Sequence, residues 1–99
     1  MTSQPIRIIE GRLAIKDLKY APHEIIRAYE IWARLVEEHG SHILKKFNGY
    51  NDEQLAGNWQ GYRSCRLNRQ WRIIYSSSKL GIVEVVTVER ITAHDYRRK

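Results

Sequence analysis

Arg66 and Arg72 carry the first chemical signal in this 99-residue chain. They flank Asn68-Arg69-Gln70, a turn-like triplet between two β-rich runs. If that triplet is a three-residue hairpin loop, Leu67 faces Trp71, Arg66 faces Arg72 and Ser64 faces Ile74. Cys65, Leu67, Trp71, Ile73 and Tyr75 then share an apolar side that must meet a core, while Tyr62, Ser64, Arg66, Arg72 and Ile74 share the other. Two guanidiniums directly across a strand pair repel by a few tenths to about 1 kcal/mol. An anion should compensate. An ordinary ion pair with Glu53, Glu84 or Glu89 is one way to do so, but a surface salt bridge contributes only about 0–1 kcal/mol. A guanidinium pair fits the oxygens of a phosphodiester bidentately, which favours a phosphate site. Arg63 shares parity with Cys65 and is the weaker candidate, and Arg69 sits at the loop tip.

The carboxy-terminal His94-Asp95-Tyr96 holds the other reactive groups. An imidazole serves as general acid or base near neutral pH, Asp95 can orient a proton, and Tyr96 can stack on a base or donate to phosphate. His23, His39 and His42 lack Cys or carboxylate companions at ligand spacing, so no metal site is expected. Neither a glycine-rich phosphate loop nor a Ser-His-Asp pattern occurs. The chain has 17 Lys and Arg against 11 Asp and Glu, a net charge of +6. Such a field captures polyanions, and here it concentrates in the second half: Arg63, Arg66, Arg69 and Arg72 lie in a stretch without an acid, and the chain closes on Arg97-Arg98-Lys99.

The length suits one domain over residues 1–99 with a modest core. A single cysteine, Cys65, and the lack of a signal peptide or spanning apolar run point to a cytoplasmic protein with no membrane association.

The elements that must position these residues read as follows. Arg12 to Leu18 alternates and predicts a strand, with Ile6 to Ile9 pairing across Glu10-Gly11. Pro22 opens a helix whose Ile25, Tyr29, Trp32 and Val36 recur on one face, ending at Gly40. Ser41 caps a shorter helix bearing Ile43, Leu44 and Phe47. Asn51 to Gly61 reads as loop anchored by Leu55 and Trp59. Gly61 to Leu67, Trp71 to Ser77 and Ile82 to Ile91 form an antiparallel meander, with a second turn at Ser76 to Lys79. The class is α+β: a small antiparallel sheet with two amino-terminal helices on one face.

Glu53-Gln54-Leu55, then Trp59-Gln60-Gly61-Tyr62-Arg63-Ser64-Cys65-Arg66-Leu67, then Gln70-Trp71-Arg72-Ile73-Ile74-Tyr75 together resemble the RelE/ParE toxin superfamily, in particular its YoeB-like and HigB-like branches. The resemblance extends over roughly Arg12 to Tyr96. It implies a toxin of a type II toxin-antitoxin system that cleaves messenger RNA on the ribosome without metal or cofactor. By motif position the catalytic set would be Glu53, Arg66, Arg72, His94 and Tyr96, with Glu53 as base, the arginines holding the phosphorane, His94 as acid and Tyr96 stacking on the nucleotide. The tail departs from the YoeB-like pattern, because Asp95 separates His94 from Tyr96 and basic residues follow, as in HigB-like tails. Lys45, Lys46, Arg63, Asp95, Arg97 and Arg98 would contact RNA, and Lys45 or Lys46 could replace Glu53 as base.

The resemblance also implies a cognate antitoxin, acidic where it meets the arginines, in a hetero-oligomeric complex. Two alternatives stand beside messenger RNA cleavage: a ParE-like gyrase poison, which shares the fold but needs no RNA-cleaving set and against which Glu53 and His94 argue, and a non-catalytic RNA- or ribosome-binding module in which the arginines only position phosphates.

Overall fold

The computed structural model describes residues 5–94. Five strands form one sheet in the order β1-β5-β4-β3-β2: β1 Ile6–Glu10, β2 Glu53–Gln54, β3 Arg63–Arg66, β4 Arg72–Leu80 and β5 Val83–Thr92. Only β1 runs parallel to its neighbour, pairing Ile6 with Glu84 through Glu10 with Val88. Helices α1 (Arg12–Tyr20) and α2 (His23–His39) cover one face, and the α+β class expected from the sequence is what the structure has. Among the described residues no helix is long and apolar enough to cross a membrane.

α2 presents Ile25, Tyr29, Trp32 and Val36 to the sheet as its periodicity requires. Trp32 meets the Tyr75 ring edge-on at 5.4 Å, beside Cys65, Ile73, Val86, Val88 and Ile91. The helix stops at Gly40, whose φ of +90° suits glycine; a Cβ there would lie 3.2 Å from a Glu84 carboxylate oxygen.

Four expectations need correcting. Asn51 to Gly61 is not all loop, because it contains β2 and a 3-10 turn, Gly57–Trp59, with Leu55 buried between them. Arg12–Leu18 is helical rather than extended. Its alternation places Leu13 and Ile15 in solvent, whereas helical geometry buries Ala14 and half-buries Leu18 one turn later. β1 therefore pairs with β5 and not with a following hairpin strand. The segment after Ser41 is a 3-10 turn, Ser41–Lys46, rather than an α-helix, with Leu44 as its buried anchor. The serine run does not turn: β4 continues to Leu80, and Gly81-Ile82 makes the hairpin, with Gly81 at φ +62°. Ser76–Lys79 pairs with Glu84–Thr87, so the ladder outweighs the local turn preference of serine.

Glu84 ties this end together. Its carboxylate accepts from the Ser41 amide, the Ser41 hydroxyl and the Ser77 hydroxyl. Burial opposes its ionisation, but these hydrogen bonds and Lys79 more than offset that, so its pKa is lowered. A carboxylate with a depressed folded pKa contributes stability above its unfolded value of about 4.3 and loses it as pH falls through the folded value. Glu84→Gln is expected to cost about 1–2 kcal/mol near neutrality. The gap between variant and parent should close in acid, as read by urea melts at a series of pH values; a gap that widened on acidification would refute this assignment.

Candidate active site

The pleat sorts the charged residues of β2 and β3 into two sets. Arg63 pairs with Tyr75, Ser64 with Ile74, Cys65 with Ile73 and Arg66 with Arg72, the register expected from the sequence. The hairpin loop is held by the Asn68 side chain, which accepts from the Gln70 and Trp71 amides at 2.8 and 2.7 Å. Leu67 closes on the Trp71 carbonyl at 2.7 Å, leaving Arg69 exposed at the tip.

On the helix side lies Asp52, which sequence reasoning missed. Its side chain is 1% exposed and receives Arg63 Nε at 3.0 Å and Arg63 Nη2 at 2.9 Å, the Tyr75 hydroxyl, and Cys65 Sγ at 3.4 Å. Burial raises the pKa of both Tyr75 and Cys65, and Asp52 raises them further, so each stays protonated and donates. Arg63, grouped with the RNA contacts in the sequence, is thus committed to a buried pair. The signal that could have found Asp52 is its parity: it alternates with Glu53 as Arg63 and Cys65 alternate with Ser64.

The opposite side holds the expected chemistry. Glu53 pairs with Ser64, so Glu53, Ser64 and Ile74 share one cross-strand row. Arg66, Arg72 and Thr92 make the next. Directly opposed residues on one face have Cβ atoms about 4.5–5.5 Å apart, and diagonal neighbours such as Glu53 and Arg66 are about 7–8 Å apart. Glu53 is thus a diagonal neighbour of Arg66, and Arg72 stands next across the sheet from Arg66. His94 follows Thr92 by one residue beyond Ala93, its amide donating to the Thr92 hydroxyl at 3.0 Å, so it leaves the sheet at the arginine row.

Arg72 is only 5% exposed. Arg66 Nε and the Ser64 hydroxyl are buried, and neither has a hydrogen-bond partner among the described residues. Unsatisfied buried donors and acceptors cost about 1–3 kcal/mol each, so two of them on one face suit a polar ligand with acceptor oxygens. Glu84, one carboxylate offered by the ion-pair alternative, lies on the other face with Ser41 and Ser77. Lys45 and Lys46 are exposed in the last turn of the 3-10 segment, away from these rows in sequence and on a separate element. Asp95, Tyr96, Arg97, Arg98 and Lys99 lie outside the described residues. Among the described residues no group of three or more His, Cys, Asp or Glu could hold a metal ion.

No protein-family model matches the sequence, and no curated protein matches it either. Solved structures do. The YoeB/ParE toxin from Agrobacterium tumefaciens superposes with a TM-score of 0.68 at 17% identity, over 90% of this chain and 99% of that one. The Staphylococcus aureus YoeB-YefM toxin-antitoxin complex contains a chain matching at TM-score 0.68 and 18% identity, over 91% and 98%. The E. coli DinJ-YafQ toxin-antitoxin complex contains one matching at TM-score 0.65 and 26% identity, over 89% and 90%. The chain has the RelE/YoeB-like toxin fold. In this RelE/YoeB-like sheet, Arg66 and Arg72 stand opposite each other in one cross-strand row, beside the buried Ser64 hydroxyl.

The two faces should respond oppositely to mutation. Asp52→Ala strands Arg63 and is expected to cost about 2–4 kcal/mol. Arg66→Met removes an unsatisfied donor and a like-charge contact, and is expected to leave stability unchanged or raise it by about 1 kcal/mol. Thermal and urea denaturation of both variants checks this; a larger loss from Arg66→Met than from Asp52→Ala would reverse the assignment of the faces.

Proposed function

We propose that the chain is the toxin of a type II toxin-antitoxin pair and a ribosome-dependent, metal-independent messenger RNA endoribonuclease. The observation that carries this reading is the grouping of Glu53, Arg66 and Arg72 in adjacent cross-strand rows, with His94 emerging beside Thr92 of the arginine row. That is the set a phosphodiester transfer needs. Glu53 takes the proton from a 2′-hydroxyl, whose oxygen attacks the adjacent phosphorus. Arg66 and Arg72 stabilise the charge that accumulates on the phosphorane. The bond from phosphorus to the 5′-oxygen then breaks, His94 gives that oxygen a proton, and the ends are a 2′,3′-cyclic phosphate and a 5′-hydroxyl. Tyr96 is assigned to stack on the scissile nucleotide, and Lys45, Lys46, Arg97 and Arg98 to contact RNA phosphates. The ribosome would splay the message so that its 2′-hydroxyl and phosphate align.

The partner is an antitoxin. Two of the structural neighbours come from toxin-antitoxin complexes, with YefM and with DinJ. The outer side of α1 also suits a partner of that kind, since Leu13, Ile15 and Tyr20 are exposed among Arg12, Lys16 and Lys19. An acidic amphipathic segment would complement both the helix and the arginine row.

Induced expression followed by mapping of messenger 5′ ends tests the reaction. The parent should arrest growth and create codon-phased ends, and Arg72→Ala and His94→Gln should each reduce cleavage by about 100-fold or more. Arrest without new RNA ends would sink the ribonuclease reading, and arrest with gyrase-linked DNA breaks would replace it by the poison. Full cleavage by Arg72→Ala would remove the arginine row from the chemistry.

A further inference from the structure

Beside the arginine row, Phe47, Asn48, Gly49, Tyr50, Arg66 and Leu67 line an open groove of about 420 Å³. Phe47 is 48% exposed and stays outside the core cluster, whereas Tyr50 packs against that cluster. The two rings meet edge-on at 6.3 Å, which holds Phe47 in place without covering it. Arg66 also lines the groove, and its buried Nε has no hydrogen-bond partner among the described residues. Lys45 and Lys46 stand exposed just before Phe47. An aromatic ring and a guanidinium in one hollow are what single-stranded nucleic acid uses: bases stack on rings and on arginine planes while cations take the phosphates.

We infer that this groove is a nucleobase subsite, in which Phe47 stacks on an unpaired RNA base next to the phosphate held by Arg66 and Asn48 reads its edge. The inference rests on the ribonuclease reading above and adds to it the determinants of sequence preference. Stacking on Phe47 is indifferent to base identity and supplies binding. The Asn48 carboxamide offers one acceptor and two donors, so it supplies discrimination. A second possible occupant, an apolar side chain of a protein partner, would use Phe47 but would leave Arg66 Nε without a role.

The experiment measures cleavage by the full chain of ribosome-bound messages that differ only in the codon presented. The parent is compared with Phe47→Leu, Phe47→Trp, Asn48→Ala and, as a chemistry control, Arg72→Ala. Phe47→Leu is expected to slow cleavage about ten-fold on all codons, while Phe47→Trp keeps about the parental rate. Asn48→Ala is expected to re-rank codons at one base position rather than slow them uniformly, with thermal midpoints of all the groove variants unchanged. Parental rates and ranking in both Phe47→Leu and Asn48→Ala would overturn the subsite, as would losses that track a fall in thermal midpoint. Loss of antitoxin binding by Phe47→Leu with cleavage intact would assign the groove to a protein instead. If the parent cleaves no message at all, the ribonuclease reading itself fails and this one with it.

Discussion

A buried carboxylate organises this molecule. Asp52 is nearly inaccessible, and a charge in that position persists only if it is paired and hydrogen-bonded. Arg63, Tyr75 and Cys65 meet that demand from two strands, so the segment after the 3-10 turns is fastened to β3 and β4 at once. Tyr75 in turn touches Trp32, which carries the constraint into α2. Because adjacent residues in an extended segment point to opposite faces, fixing Asp52 toward the helices sends Glu53 to the other side. A slip of one residue would bury Glu53 and expose Asp52, leaving Arg63 without its partner. The placement of Glu53 in the row of Ser64 follows from satisfying its neighbour.

The two faces are unequal in how well their polar groups are served. On the helix side the buried charges at Asp52 and Glu84 collect donors from several elements. On the other side, Arg66 stands directly across from Arg72, and the Ser64 hydroxyl and Arg66 Nε lack partners among the described residues. Stability alone does not call for Arg66 there, since an apolar residue in its place would leave no unsatisfied donor. Under the proposed function, phosphate oxygens would meet Arg66 Nε, and the Ser64 hydroxyl stands beside it in the adjacent row.

The parts legible in the sequence are those governed by local geometry. The Asn68 turn dictates the register of its hairpin, so the opposition of Arg66 and Arg72 follows from counting residues, and α2 announces itself through Ile25, Tyr29, Trp32 and Val36. The failures have a different character. Arg12–Tyr20 carries apolar residues that fit a period of two as well as a helix, and only the burial of Ala14 against the core decides between them. The pairing of β1 with β5 joins opposite ends of the chain, which no local pattern encodes. The serines of β4 prefer turns, and a long-range ladder overrides them. Asp52 and Glu53 are adjacent acids whose opposite fates depend on a pleat that neither residue reveals.

The helix Arg12–Tyr20 also supports the carboxy-terminal end of β5. β1 supports β5 only as far as Val88, where Gly11 donates its amide to the Val88 carbonyl and the chain turns into α1. Past that point the outer edge of β5 has no strand beside it, and an extended segment there would fray into solvent. Asp17 takes over. Its carboxylate accepts the Ile91 amide at 2.9 Å and binds Arg90 through Nε at 2.8 Å and Nη2 at 3.0 Å. One side chain of a helix therefore substitutes for strand pairing and ion-pairs with the same strand. β5 can then continue through the bulge opposite Ile74 and Tyr75 to Thr92, the residue that faces Arg72. Had Arg12–Leu18 been a strand, no Asp17 carboxylate would stand at that edge in this geometry, and the end of β5 would be held by its pairing with β4 alone.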